Sequence, residues 1–179
     1  AVWPAMARAY QDGPANLDLA DRLLAALAAA QEAGGDVRGE QSAAILIVAG
    51  ERTDRPWEAT RIDLRVEDHR DPIGELARLL HLQRAYDLMN DGDGAVATGD
   101  WDRALTSYAE AARRAPQIVE LAFWHAVALV NADRTQHALP IFADVFRREP
   151  RWRDAVGRLA RANQLPGDQT LIARITAAR

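Results

Sequence analysis

Cysteine and lysine are both absent from this chain, and serine occurs only at Ser42 and Ser107. Without thiols there is no disulfide, no thiol nucleophile and no thiolate metal site. All 22 basic residues are arginine, which removes Schiff-base lysine chemistry and the lysine of a phosphate-binding loop. Neither serine sits in a G-x-S-x-G setting, so a nucleophile elbow is excluded. Basic charge is not in excess either: net charge is −4 and the pI near 5.6, which gives no electrostatic footprint for nucleic acid. No apolar run approaches the roughly 18 residues of a membrane span, and no basic-then-apolar start is visible. The expectation is a soluble, cytoplasmic protein without nucleic-acid or membrane partners.

What is present divides into two unlike halves. Over residues 1–70 the pattern is mixed. Val2, Met6, Ala9 and Tyr10 recur at helical spacing, which predicts a helix over 1–11. Leu19, Ala20, Leu23, Leu24, Leu27 and Ala28 make an amphipathic stripe over 18–33, closed by Gly34 and Gly35. The run 43–48 is short, apolar and bounded by turn residues, as a buried strand is. Residues 61–67 alternate, with Ile62, Leu64 and Val66 on one side and Asp63 and Arg65 on the other. Two strands and two helices leave one sheet face without a covering layer, so a missing upstream half is expected.

Asp71 and Pro72 open a helical region with an N-cap residue followed by proline at the first helical position. Ile73, Leu76, Leu79, Leu80, Tyr86 and Leu88 keep helical spacing, which predicts one helix joining the halves rigidly. Beyond it, Ala104, Tyr108 and Pro116 are answered by Ala138, Phe142 and Pro150, each pair 34 residues apart. Residues 85–160 resemble tetratricopeptide repeats on that period and on the order small, aromatic, proline. Asp133 replaces a turn glycine, and Pro140 predicts a late start or a kink in its helix. Closing helices are expected to carry Leu159, Leu165, Leu171, Ile172 and Ile175, broken at Pro166 and Gly167. The repeat register puts Tyr86, Met89, Val96, Phe123, Val127 and Asn131 on the floor of a concave groove for a protein or peptide partner, or for self-association.

The stretches GGDVRGEQSAAILIV and IDLRVEDHRDPIGELARLL, with WPAMARAY and LADRLLAALAAAQEAGGD before them, resemble the C-terminal part of the domain-of-unknown-function 1028 family, over residues 1 to about 82. That resemblance implies an Ntn-hydrolase-like αββα sandwich whose nucleophile is an N-terminal Thr or Ser on a strand this chain does not contain. Ala1 has no nucleophilic side chain, so no catalytic residue is expected in this chain. The resemblance also matches Asp36, Arg38, Gln41 and Ser42 to one polar motif of the family and Asp63, Arg65 and Asp68 to the next. These would orient substrate or support the site. Paired charges on solvated turns explain the same residues.

The expected architecture is therefore α+β: residues 1–71 as the C-terminal part of an Ntn-hydrolase-like sandwich, and 72–179 as an all-α tetratricopeptide-type module. In the intact protein the first would contribute to an amide or ester hydrolase, and the alternative is a non-catalytic interaction scaffold. No cofactor is called for. The run Asp68-His69-Arg70-Asp71 has the residue types of a metal site, but a helix start explains it as well. Trp101, Trp124 and Trp152 are expected to anchor helix packing rather than stack on a ligand.

Overall fold

The computed structural model describes residues 5–11, 17–33, 41–49 and 60–179. These form three strands, β1 (Ala5–Gln11), β2 (Ala43–Ala49) and β3 (Thr60–Val66), and seven helices, an α+β chain. The helices are α1 (Leu17–Glu32), α2 (Pro72–Ala97), α3 (Trp101–Arg114), α4 (Val119–Asn131), α5 (Thr135–Arg148), α6 (Trp152–Arg161) and α7 (Gln169–Thr176). Two compact units result, Ala1–Gln83 and Arg84–Arg179, and their division falls inside α2 rather than at its start. Among the described residues no helix is long and apolar enough to cross a membrane.

The sheet runs in the order β1-β2-β3, with β1 parallel and β3 antiparallel to β2. The helix expected over 1–11 is thus corrected to a strand over Ala5–Gln11. Its alanines at 5, 7 and 9 register against Ala43, Ile45 and Ile47. On one face of β2 and β3, Ala43, Ile45, Ile47, Ile62 and Val66 form a single apolar cluster with Ala20 and Leu27 of α1 and Leu76 and Leu80 of α2. Both helices therefore layer the same face, and the first turns of α2 belong to this core. On the other face Ala44 is buried, Leu46 and Val48 are half-buried, and Asp63 and Arg65 are exposed. Asp71 caps α2 through its carboxylate, which accepts from the Gly74 N–H at 2.8 Å. The helix then continues without a break to Ala97.

In the second unit the 34-residue period is a period of structure. Helices α3 and α5 are each 14 residues long and begin at Trp101 and Thr135. Both end on paired arginines, Arg113 and Arg114 in one, Arg147 and Arg148 in the other. Ala104 and Ala138 are fully buried, Phe142 likewise, and Tyr108 nearly so. Helices α2, α4 and α6 end in the same turn. Gly99, Asp133 and Asn163 have left-handed backbones, with φ of 76°, 58° and 57°. The N–H after each reaches back five residues, from Asp100 to the Ala95 carbonyl, Arg134 to Leu129, and Gln164 to Leu159, at 2.8–2.9 Å. This double turn satisfies helix-end carbonyls and requires the left-handed residue. Aspartate tolerates that conformation and a β-branched residue does not. Asp133→Val is therefore expected to cost about 1–2 kcal/mol, while Asp133→Gly leaves thermal unfolding unchanged or raises it; equal melting temperatures for the two variants would remove the turn from the explanation.

Pro140 delays nothing. Helix α5 starts five residues before it, because Ala138 and Phe142 are both buried and hold the helix on either side of the missing N–H. Phe123, Phe142, Phe146 and Val156 sit at the centre of the core, with Leu165 and Ile175 closing it from the last loop and α7.

Candidate functional site

The polar residues of the sheet unit do not converge on a reaction centre among the described residues. Asp36 and Arg38 lie outside them. Arg65 forks onto Asp63, with Nε to Oδ1 and Nη2 to Oδ2 both at 2.7 Å. They stand two residues apart on β3, the spacing that puts side chains on one strand face. Donating to the Asp63 carboxylate raises the Arg65 pKa above its ordinary value. The pair is open to water, where such a bridge contributes little. Asp68 takes a left-handed backbone (φ 51°) in the turn leaving β3. In that turn the His69 N–H donates to the Gln41 carbonyl at 3.0 Å, which ties the entry of β2 to the exit of β3. Gln41 is exposed and Ser42 half-buried beside it. His69 Nδ1 folds back on the backbone of Asp71, 2.7 Å from its carbonyl and 3.1 Å from its nitrogen. A turn built this way uses the ring locally, and no group of three His, Asp or Glu among the described residues is arranged to hold a metal.

A better-formed site lies in the helical unit. A cleft of about 690 Å³ opens between the last turns of α2 and α4, the first turns of α3, and the loop between α6 and α7. Its aromatic lining is Trp101, Tyr108 and Trp124, and its one acidic side chain is Asp93. The Tyr108 hydroxyl donates to Asp93 Oδ1 at 2.5 Å. Burial first, and then Asp93, push the phenol well above its ordinary pKa, so it stays a neutral donor. Gly92 makes this possible: a Cβ there would come within 2.9 Å of the Tyr108 ring. The far wall is held by Asn131, whose Nδ2 donates to the Gln164 carbonyl at 3.0 Å, and by Leu165, which plugs into the core.

Of the groove residues expected from the repeat register, Val96, Val127 and Asn131 line this cleft. Phe123 does not: it is fully buried in the aromatic core, against Trp124, Phe142 and Trp152. Met89 is partly buried against the same core. Tyr86 turns its hydroxyl to Glu120 Oε2 at 3.3 Å. Sequence reasoning missed Asp93, Tyr108 and the loop 163–167 as lining. The signal available was Gly92, a small residue about two turns before the left-handed Gly99, which leaves room for a ring. A second, shallower hollow of about 710 Å³ between α3 and α4 contains His125, whose pKa burial lowers.

Comparison with known proteins finds no matching curated protein and no matching solved structure. Residues 1–76, which include the whole sheet and the start of α2, match the model of a family described as a family of unknown function (DUF1028).

Proposed function

We propose that the chain is a peptide-binding protein, a tetratricopeptide-type helical module joined to the C-terminal part of an Ntn-hydrolase-like domain. The observation that carries the binding reading is the cleft: a concave, largely apolar surface with a few polar groups whose positions are fixed by neighbours. The 34-residue spacing of α3 and α5, the buried Ala104 and Ala138 and the recurring helix-end turns support the repeat assignment.

A second reading has its own support in the family match and in the one-sided layering of the sheet. Half-buried Leu46 and Val48, on the face opposite α1 and α2, suit an αββα sandwich in which that face meets a second sheet. There the sheet unit would serve an amide or ester hydrolase, with Asp63 and Arg65 supporting the site.

The binding reading is tested with the full chain carrying fluorinated tryptophan, followed by fluorine NMR during titration with a mixed pool of random hexapeptides. The resonances of Trp101 and Trp124 should move and that of Trp152, which packs against the buried Phe123, should stay. If neither cleft tryptophan responds to any pool, the cleft is not a peptide site.

A further inference from the structure

We infer that the cleft of the helical unit selects a cationic side chain, and specifically that it takes the guanidinium of an arginine-bearing peptide segment. This rests on the peptide-binding reading and adds to it the chemistry of the ligand. Three features converge.

The first is charge. The chain carries 22 arginines, yet none lines the cleft among the described residues, and neither does any histidine; Asp93 is the one acidic side chain there. The second is the helix ends. A helix C-terminus carries partial negative charge, and a basic residue in its last turn ordinarily offsets it. Helices α3, α5, α6 and α7 all have arginine in the last turn. Helices α2 and α4 have no basic residue there, and these are the two whose final turns line the cleft, through Asp93 and Val96 and through Val127, Ala128 and Asn131. Helix α1 of the sheet unit also lacks one, but within the helical unit the two helix ends without a basic residue meet at this cleft. The third is the lining. Trp101, Tyr108 and Trp124 present aromatic rings, whose faces attract a cation held over them.

Guanidinium meets all three better than ammonium does. It is planar and weakly hydrated, it stacks on an indole, and its fork matches a carboxylate. Asp93 Oδ1 accepts from Tyr108, but a carboxylate has about four lone-pair positions, so both oxygens retain capacity for a donor pair. The tyrosine bond also fixes the carboxylate, which lessens what the complex would have to order. A volume of about 690 Å³ exceeds one side chain and accommodates the flanking residues of a short segment.

The test uses the full chain, fluorinated at tryptophan, and three capped tripeptides: acetyl-Gly-Arg-Gly-amide, the same peptide with neutral citrulline, and the same with glutamate. The arginine peptide should shift Trp101 and Trp124 saturably, and citrulline and glutamate should bind at least tenfold more weakly. Asp93→Asn, an exposed isosteric change, should weaken the arginine peptide at least tenfold while the thermal transition stays in place. Equal binding of arginine and citrulline, or an unchanged affinity in Asp93→Asn, would overturn the inference. Should the hexapeptide pool move both tryptophans while the arginine peptide does not, the cation preference falls and the peptide site stands. Silence from the pool and from all three peptides removes both.

Discussion

Replacing Phe123 by alanine is expected to lower the unfolding free energy of the full chain by about 3–5 kcal/mol. The ring is fully buried on α4 and reaches three neighbours at once: Trp124 edge-on at 5.8 Å, Phe142 of α5 edge-on at 5.7 Å, and Trp152 of α6 tilted at 4.5 Å. Truncation removes the transfer free energy of the ring and opens a void that Phe142 and Trp152 cannot both close. Phe123→Leu keeps most of the volume and should cost clearly less, so the pair of variants separates lost volume from lost ring contacts. Denaturant unfolding followed by circular dichroism measures both. A loss under about 1 kcal/mol for the alanine variant would mean that α4 does not sit at the centre of the helical unit. The same substitution should also weaken peptide binding, because Phe123 supports the Trp124 ring that lines the cleft. That loss should track stability, whereas the effect of Asp93→Asn should not.

Phe123 also shows where sequence periodicity stops being informative. Helical spacing places a residue on a helix face but does not say whether a third helix covers that face. Here α4 packs against both α3 and α5, and a ring expected on a groove floor is in the core instead. The features that were legible are those fixed by neighbours in sequence. Alternation over 61–67 matches β3, the apolar run over 43–48 matches β2, and Asp71 with Pro72 marks the start of α2. The segment AMARAYQ was ambiguous because its apolar residues satisfy a helical period while its alanines recur every second residue. Pairing with β2 decides the matter, and that partner lies more than thirty residues away in sequence. The cleft was half-legible for a similar reason. Val96, Val127 and Asn131 are among the residues expected on a groove and line the cleft, but the wall at 163–167 depends on a hydrogen bond from Asn131 and on Leu165 returning to the core. Pro166 and Gly167 announce only that the helix ends.

Two adjacent residues of β2 should respond very differently to truncation, and the difference reports what the sheet does. Ile45→Ala is expected to cost about 2–5 kcal/mol, because Ile45 is fully buried in the cluster formed with α1 and α2. Leu46→Ala should cost under about 1 kcal/mol, because Leu46 is only half-buried on the opposite face, in register with the exposed Asp63. Comparable burial on both faces would equalise the two losses, so equal values would show that the second face is already covered in solution. Measuring Leu46→Ala at several protein concentrations then decides by what. A cost that grows with concentration identifies a second copy, since association stabilises only the variant that keeps the apolar contact. A cost that is small at every concentration leaves Leu46 and Val48 as an open apolar strip flanked by the Asp63–Arg65 pair. That is the surface the sandwich reading requires, with the charge pair at its edge free to face whatever the second layer brings.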